Sequence, residues 1–140
     1  MKLDFWKIAM RPGKPLMFGK LAGQRVMGLP GNPVSSMICA RVFLVPLIRR
    51  MIGLGAGDFA RRTAVLTTDM GANGPRQHYA RAILETREGR EVVAPVRSQD
   101  SSLIAALARS NALIVQPPHA PRTPAGSQVE VLLQIGRAHV

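Results

Sequence analysis

Three glycines occupy five positions at Gly53-Leu54-Gly55-Ala56-Gly57, and the hydrophobic period of the chain changes across them. A stretch of this composition has no packing face and acts as a flexible connection. The residues before it end in helical spacing, whereas those after it have a period of two. The expected organisation is therefore a first unit over 1–53, a connection over 54–60 and a second unit over 61–134.

In the first unit, residues 5–10 suit a strand. Pro12, Gly13 and Pro15 then end regular pairing, because proline has no donor N–H. Two more short strands are expected over 15–20 and 24–29, around a Leu21-Ala22-Gly23 turn. A helix begins near Pro33: Asn32 is a good N-cap, and proline at N1 forfeits only an N–H that would have no intrahelical partner. Val34, Met37, Ile38, Val42, Val45 and Ile48 recur at helical spacing. Arg49 and Arg50 suit the negative end of the helix dipole, Pro46 is expected to kink the helix, and Gly53 to stop it. Beyond the glycines, strands are expected over 62–68, 78–86, 91–97, 112–116 and 128–133. Arg87-Glu88-Gly89-Arg90 reads as a hairpin turn, residues 102–109 as a short helix, and 117–126 as a stiff proline-rich loop. This pattern fits a small curled sheet or barrel.

Hydrophobic residues make up 46% of the 140 positions, enough for a buried core, and the formal charge is +11. Such a surface attracts phosphates, oxyanions, nucleic acid or an acidic partner. Only 4% of residues are aromatic, which gives a nucleic-acid binder few stacking platforms and makes it the lesser alternative. Cys39 is the single cysteine, so there is no internal disulfide and no cysteine-based zinc site. The start of the chain lacks a signal-peptide core, and Pro and Gly interrupt its most apolar region, so a cytoplasmic location is expected. Residues 135–140 break from the strand pattern and coincide with one reading frame of a common sequencing-adapter DNA. They are set aside as an adapter-derived tail.

Two elbows carry the chemistry. In Phe5-Trp6-Lys7-Ile8-Ala9-Met10-Arg11-Pro12-Gly13-Lys14-Pro15, the cations Lys7, Arg11 and Lys14 converge if the turn folds Lys14 back toward Arg11. That would form an oxyanion cradle, with Arg as a planar fork and Lys as a point charge. Solvated basic residues on a strand edge would read the same way. In Gly28-Leu29-Pro30-Gly31-Asn32-Pro33-Val34-Ser35-Ser36, a strand runs directly into a helix start whose free N–H groups favour anions, although a plain capped turn has the same composition. Ser98-Gln99-Asp100-Ser101-Ser102 reads as a cap for the short helix. Arg81 reads as an exposed strand arginine that would need a partner if it pointed inward. His78 and His119 lack companions at ligand spacing, and no nucleophile triad or acid pair is present.

At these elbows the sequence resembles the molybdopterin molybdenumtransferase family, the MoeA type related to the gephyrin E domain. The resemblance runs from Phe5 to about Leu133, with further support from Ser98-Gln99-Asp100-Ser101-Ser102 and Asn111-Ala112-Leu113-Ile114-Val115. It implies an α/β fragment, the C-terminal part of a molybdopterin-binding three-layer α/β domain, followed by a small mostly-β, barrel-like domain. It also implies insertion of molybdenum from molybdate into adenylylated molybdopterin, with magnesium as cofactor and AMP released. Lys7 and Arg11 then stand at catalytic positions, Arg11 where many relatives have lysine. Lys14, Pro30, Gly31, Asn32, Pro33, Ser35 and Ser101 form the substrate-binding set, and Asp100 stands where relatives often have glycine. The family's acidic magnesium ligands belong to a region with no counterpart here, so no metal ligand is expected and this piece alone is expected to be inactive. The full-length family is dimeric. The alternative functional class, also drawn from gephyrin-type relatives, is a protein-interaction scaffold.

Overall fold

The computed structural model describes residues 1–55, 61–98 and 104–134. Strand β1 (Lys2–Trp6) pairs antiparallel with β3 (Met17–Leu21), which pairs antiparallel with β4 (Gln24–Gly28). The β3–β4 hairpin turns through Ala22 and Gly23, both with positive φ, as a two-residue turn of matching twist requires. β1 is exposed along its whole length, and its Phe5 stacks on Phe18 of β3 with ring centroids 5.7 Å apart.

The strand expected over 5–10 is divided in two. Lys7 takes a left-handed conformation with φ 63°, which ends β1, and β2 (Met10–Arg11) restarts on a different sheet. The intervening backbone closes on itself: Lys7 N–H donates to Leu16 O and Ile8 N–H to Lys14 O. The Arg11-Pro12 peptide is cis.

Asn32 caps helix α1 (Pro33–Cys39), its Oδ1 accepting from the Val34 and Ser35 N–H groups at 3.1 and 3.2 Å. The expected kink takes the form of a π turn over Ala40–Leu44 leading into α2 (Val45–Met51). Pro46 has no N–H and its ring would crowd the carbonyl four residues earlier. The widened turn, in which Val45 N–H reaches Ala40 O, absorbs that conflict. Gly53 ends α2 with φ 80°, its N–H bonded to Arg50 O while Leu54 N–H reaches Arg49 O.

The second unit is a closed barrel of mixed strands. β6 (Gln77–Arg87), β7 (Arg90–Pro95), β5 (Arg61–Leu66), β9 (Gln128–Leu133) and β8 (Ala112–Gln116) succeed one another around it, and β8 pairs back onto β6. Closure leaves no open edge within the ring. β8 and β9 have the bounds expected from the sequence, and Glu88 and Gly89 form the positive-φ hairpin turn between β6 and β7. The helix expected over 102–109 is present as α3 (Ile104–Arg109). The proline-rich loop is pinned at Asp69, which accepts from Ala125 N–H at 2.7 Å and pairs with Arg122.

Alternation along the barrel strands serves two cores. Ala80, Ala82, Ala112, Ile114 and Val131 fill the interior. Their neighbours Tyr79, Leu113 and Leu132 point outward against Met10, Leu16, Val34, Ile38 and Cys39 of the first unit. β2 joins this contact directly, pairing parallel with β6 through Met10↔Gln77 and Arg11↔His78.

Gly13 lies where the elbow meets α1. Its φ is 116°, and an added Cβ would stand 2.5 Å from Cys39 Sγ and 2.6 Å from Met10 Cε. Gly13→Ala is expected to destabilise the chain by about 1–3 kcal/mol, through backbone strain and overpacking together. A lowered urea midpoint with an unchanged m-value would show it.

A candidate anion-binding cleft

A cleft of about 660 Å³ opens where the elbow after β2, the start of α1 and the start of β6 meet. Arg11 and Lys14 come from the elbow, Ser35 from α1, and Arg76, His78 and Arg81 from the β6 segment. The Ile8–Lys14 backbone bond closes the elbow, so Lys14 and Arg11 reach the same cleft. Among the described residues, no Asp or Glu lines it.

The other residues singled out from the sequence lie elsewhere. Lys7 is not on the cleft wall, and its Nζ lies 4.0 Å from the centroid of the Trp6 ring. Pro30 is buried, Gly31 is exposed, Asn32 is occupied in capping α1, and Pro33 is the first residue of that helix. Ser101 and Asp100 lie outside the described residues. Arg81 departs from the expectation of an exposed strand arginine: it is 1% exposed, and its Nη2 donates to Ser98 O at 3.1 Å.

His78 and Arg76 complete the cleft and were not among the candidates. The only signal for them is the alternation in Arg76-Gln77-His78-Tyr79-Ala80-Arg81, which gives the strand two differently packed faces. His78 is buried, and its Nδ1 accepts from Arg11 Nη2 at 2.9 Å. The same Arg11 nitrogen has a longer contact, 3.5 Å, to Asn73 Oδ1. Asn73 is held in turn, its Nδ2 donating to the carbonyls of Arg76 and Pro117 at 2.8 Å each. Burial, then Arg11, Arg81 and Arg76, push the His78 pKa down to about 4, against the opposing pull of a Gln116 hydrogen bond. The imidazole is therefore neutral at physiological pH.

Cys39 lies beneath the elbow rather than in the cleft. Burial pushes its thiol up to about 11, so it is a packing residue and not a nucleophile.

Fold and cleft together define an α/β unit joined to a β-barrel, with a cleft lined by cationic side chains at their junction. Residues 1–50 match the family described as a probable molybdopterin binding domain, and residues 63–134 match the MoeA C-terminal region (domain IV). Molybdopterin molybdenumtransferase 2 of Mycobacterium tuberculosis is 34% identical over 129 residues, which cover 92% of this chain and 31% of the relative. The molybdopterin molybdenumtransferase of Haemophilus influenzae is 33% identical over 132 residues, 93% of this chain and 33% of the relative. The crystal structure of the molybdopterin biosynthesis moea protein from Pyrococcus horikosii superposes with a TM-score of 0.79 at 26% identity, over 96% of this chain and 32% of that one. The chain belongs to the MoeA-type molybdopterin molybdenumtransferase family, and it spans about a third of the length of these relatives.

The neutral state of His78 has a consequence for stability. Between its ordinary value near 6.5 and about 4, the unfolded chain binds a proton on this ring that the folded chain does not. Stability is therefore fully present above pH 6.5 and is lost as pH falls toward 4. Urea titrations at pH 7 and pH 4.5 should show this loss, and His78→Gln should reduce it.

Proposed function

We propose that this chain contributes the anion-holding wall of a molybdenum-inserting transferase. In this reading, the cleft grips molybdate or the phosphate of adenylylated molybdopterin while molybdenum is inserted and AMP leaves. The observation that carries it is the convergence of Arg11, Lys14, Arg76 and Arg81 on one cleft with no carboxylate among its described lining residues. A cavity near 660 Å³ is of a size to take a nucleotide-sized group.

Cations that converge on one cleft repel one another, and a bound oxyanion relieves that repulsion. Arg11 and Arg81 supply planar donors suited to tetrahedral oxyanions, and Lys14 supplies a point charge at the mouth. Ser35 adds a hydroxyl at the N-terminal turn of α1. The elbow from Pro30 to Pro33 sets where that turn lies, with Asn32 fixing it by its cap. By resemblance Lys7 is assigned a catalytic role and Ser101 a substrate-binding one, although Lys7 does not line this cleft.

The cleft does not fit a magnesium ion. Its charged side chains are cationic, and among the described residues no three His, Cys, Asp or Glu side chains cluster at ligand spacing. Magnesium is then held by carboxylates outside the matched third of the family sequence. The enzyme so completed acts as a cytoplasmic homodimer.

Calorimetric titration of the folded chain with molybdate and with AMP tests this reading. Binding is expected for at least one of them, weaker at high salt and reduced about tenfold or more by Arg11→Met, which removes a charge-assisted contact. The chain alone should not insert molybdenum. A folded chain that binds neither anion would contradict the reading.

A further inference from the structure

We infer that His78 is a positioning residue for the anion site: its Nδ1 ties down one Nη of Arg11 without cancelling the guanidinium charge. The inference rests on the anion-site reading above and adds a residue to it.

Arg11 lies in a strongly cationic neighbourhood, with Lys14, Arg76 and Arg81 around the same cleft. Repulsion from these groups favours an extended guanidinium turned toward solvent. A carboxylate could hold it back, but would neutralise the charge that an anionic ligand needs. The groups that hold it are both uncharged acceptors: the His78 imidazole at 2.9 Å and, more weakly, the Asn73 amide oxygen at 3.5 Å. Both meet Nη2, so among the described residues the Nη1 and Nε donors remain available to a ligand.

The β2–β6 register produces this contact. Arg11 stands directly opposite His78 in the parallel pair, so the two side chains leave the sheet on the same side. His78 shares its strand face with Ala80 and Ala82, whose small side chains lie in the barrel interior. It therefore sits at the end of a rigid, closed ring, a firm anchor for a long and otherwise mobile arginine. A guanidinium cannot accept a hydrogen bond, so the proton of the neutral ring belongs on Nε2. Burial, with Arg11, Arg81 and Arg76 facing the ring, keeps it uncharged at neutral pH despite the opposing pull of the Gln116 hydrogen bond.

The test uses the whole chain with molybdate as the probe, or AMP if only AMP binds. His78→Leu should weaken binding about tenfold, as expected for loss of a hydrogen bond to a charged group. His78→Gln, whose amide oxygen can accept the same bond, should bind within about twofold of the parent. In an Arg11→Met background, His78→Leu should have no further effect, which a general packing defect would not reproduce. Nitrogen-15 shifts of the His78 ring should report the Nε2–H tautomer at pH 7. Unchanged affinity in a folded His78→Leu variant, while Arg11→Met loses binding, would overturn the positioning role and leave the anion site standing. A folded parent chain that binds neither anion would overturn both. If His78→Leu fails to fold, the tautomer decides: an Nδ1–H ring overturns the inference and an Nε2–H ring supports it.

Discussion

The parallel pairing of β2 with β6 is the contact on which the rest of the molecule depends. It is only two residue pairs long, yet it seats the elbow against the barrel. The apolar cluster built from Met10, Leu16, Val34, Ile38 and Cys39 on one side, and Tyr79, Leu107, Leu113 and Leu132 on the other, holds it there. A two-pair ladder could not persist by itself. Burial of these side chains supplies the free energy, and the ladder supplies the register. With the register set, Arg11 meets His78 and the cleft takes its shape.

The electrostatic character of the site arises from that seating. The first unit contributes the cations Arg11 and Lys14, and the barrel contributes Arg76 and Arg81. Brought together, they surround a common volume in which one of them, Arg81, is almost fully shielded from water and bonded to a backbone carbonyl. Ion pairs elsewhere on the barrel, such as Arg62 with Glu91 and Arg87 with Glu85, join exposed groups and contribute little to stability. The cleft instead gathers four cationic side chains, with no Asp or Glu among its described lining residues.

Local features were legible in the sequence because their causes are local. Asn32-Pro33 announces a capped helix start, and Glu88-Gly89 a tight hairpin. The apolar runs of β8 and β9 have the expected bounds because polar or glycine-containing segments flank them. The division of the first strand was not legible. Ile8, Ala9 and Met10 continue an apolar run, and nothing local shows that Lys7 turns left-handed to send Met10 to another sheet. The Arg11–His78 bond joins residues 67 positions apart, and strand alternation alone does not say which face of β6 will meet the elbow. The cleft was therefore half visible. Arg11, Lys14 and Ser35 stood out by motif, whereas Arg76, His78 and Arg81 came to line it only once the barrel closed against the helix.

Native-state hydrogen exchange at the Gln77 amide tests the central claim most directly, because this N–H donates to Ala9 O across the junction at 2.9 Å. If the elbow and the barrel form one cooperative structure, Gln77 should exchange only through global opening, at the same free energy as the β8 amides in the ring. Exchange of Gln77 orders of magnitude faster than β8, with β8 still protected, would mean that the elbow detaches from a folded barrel and that no standing cleft exists.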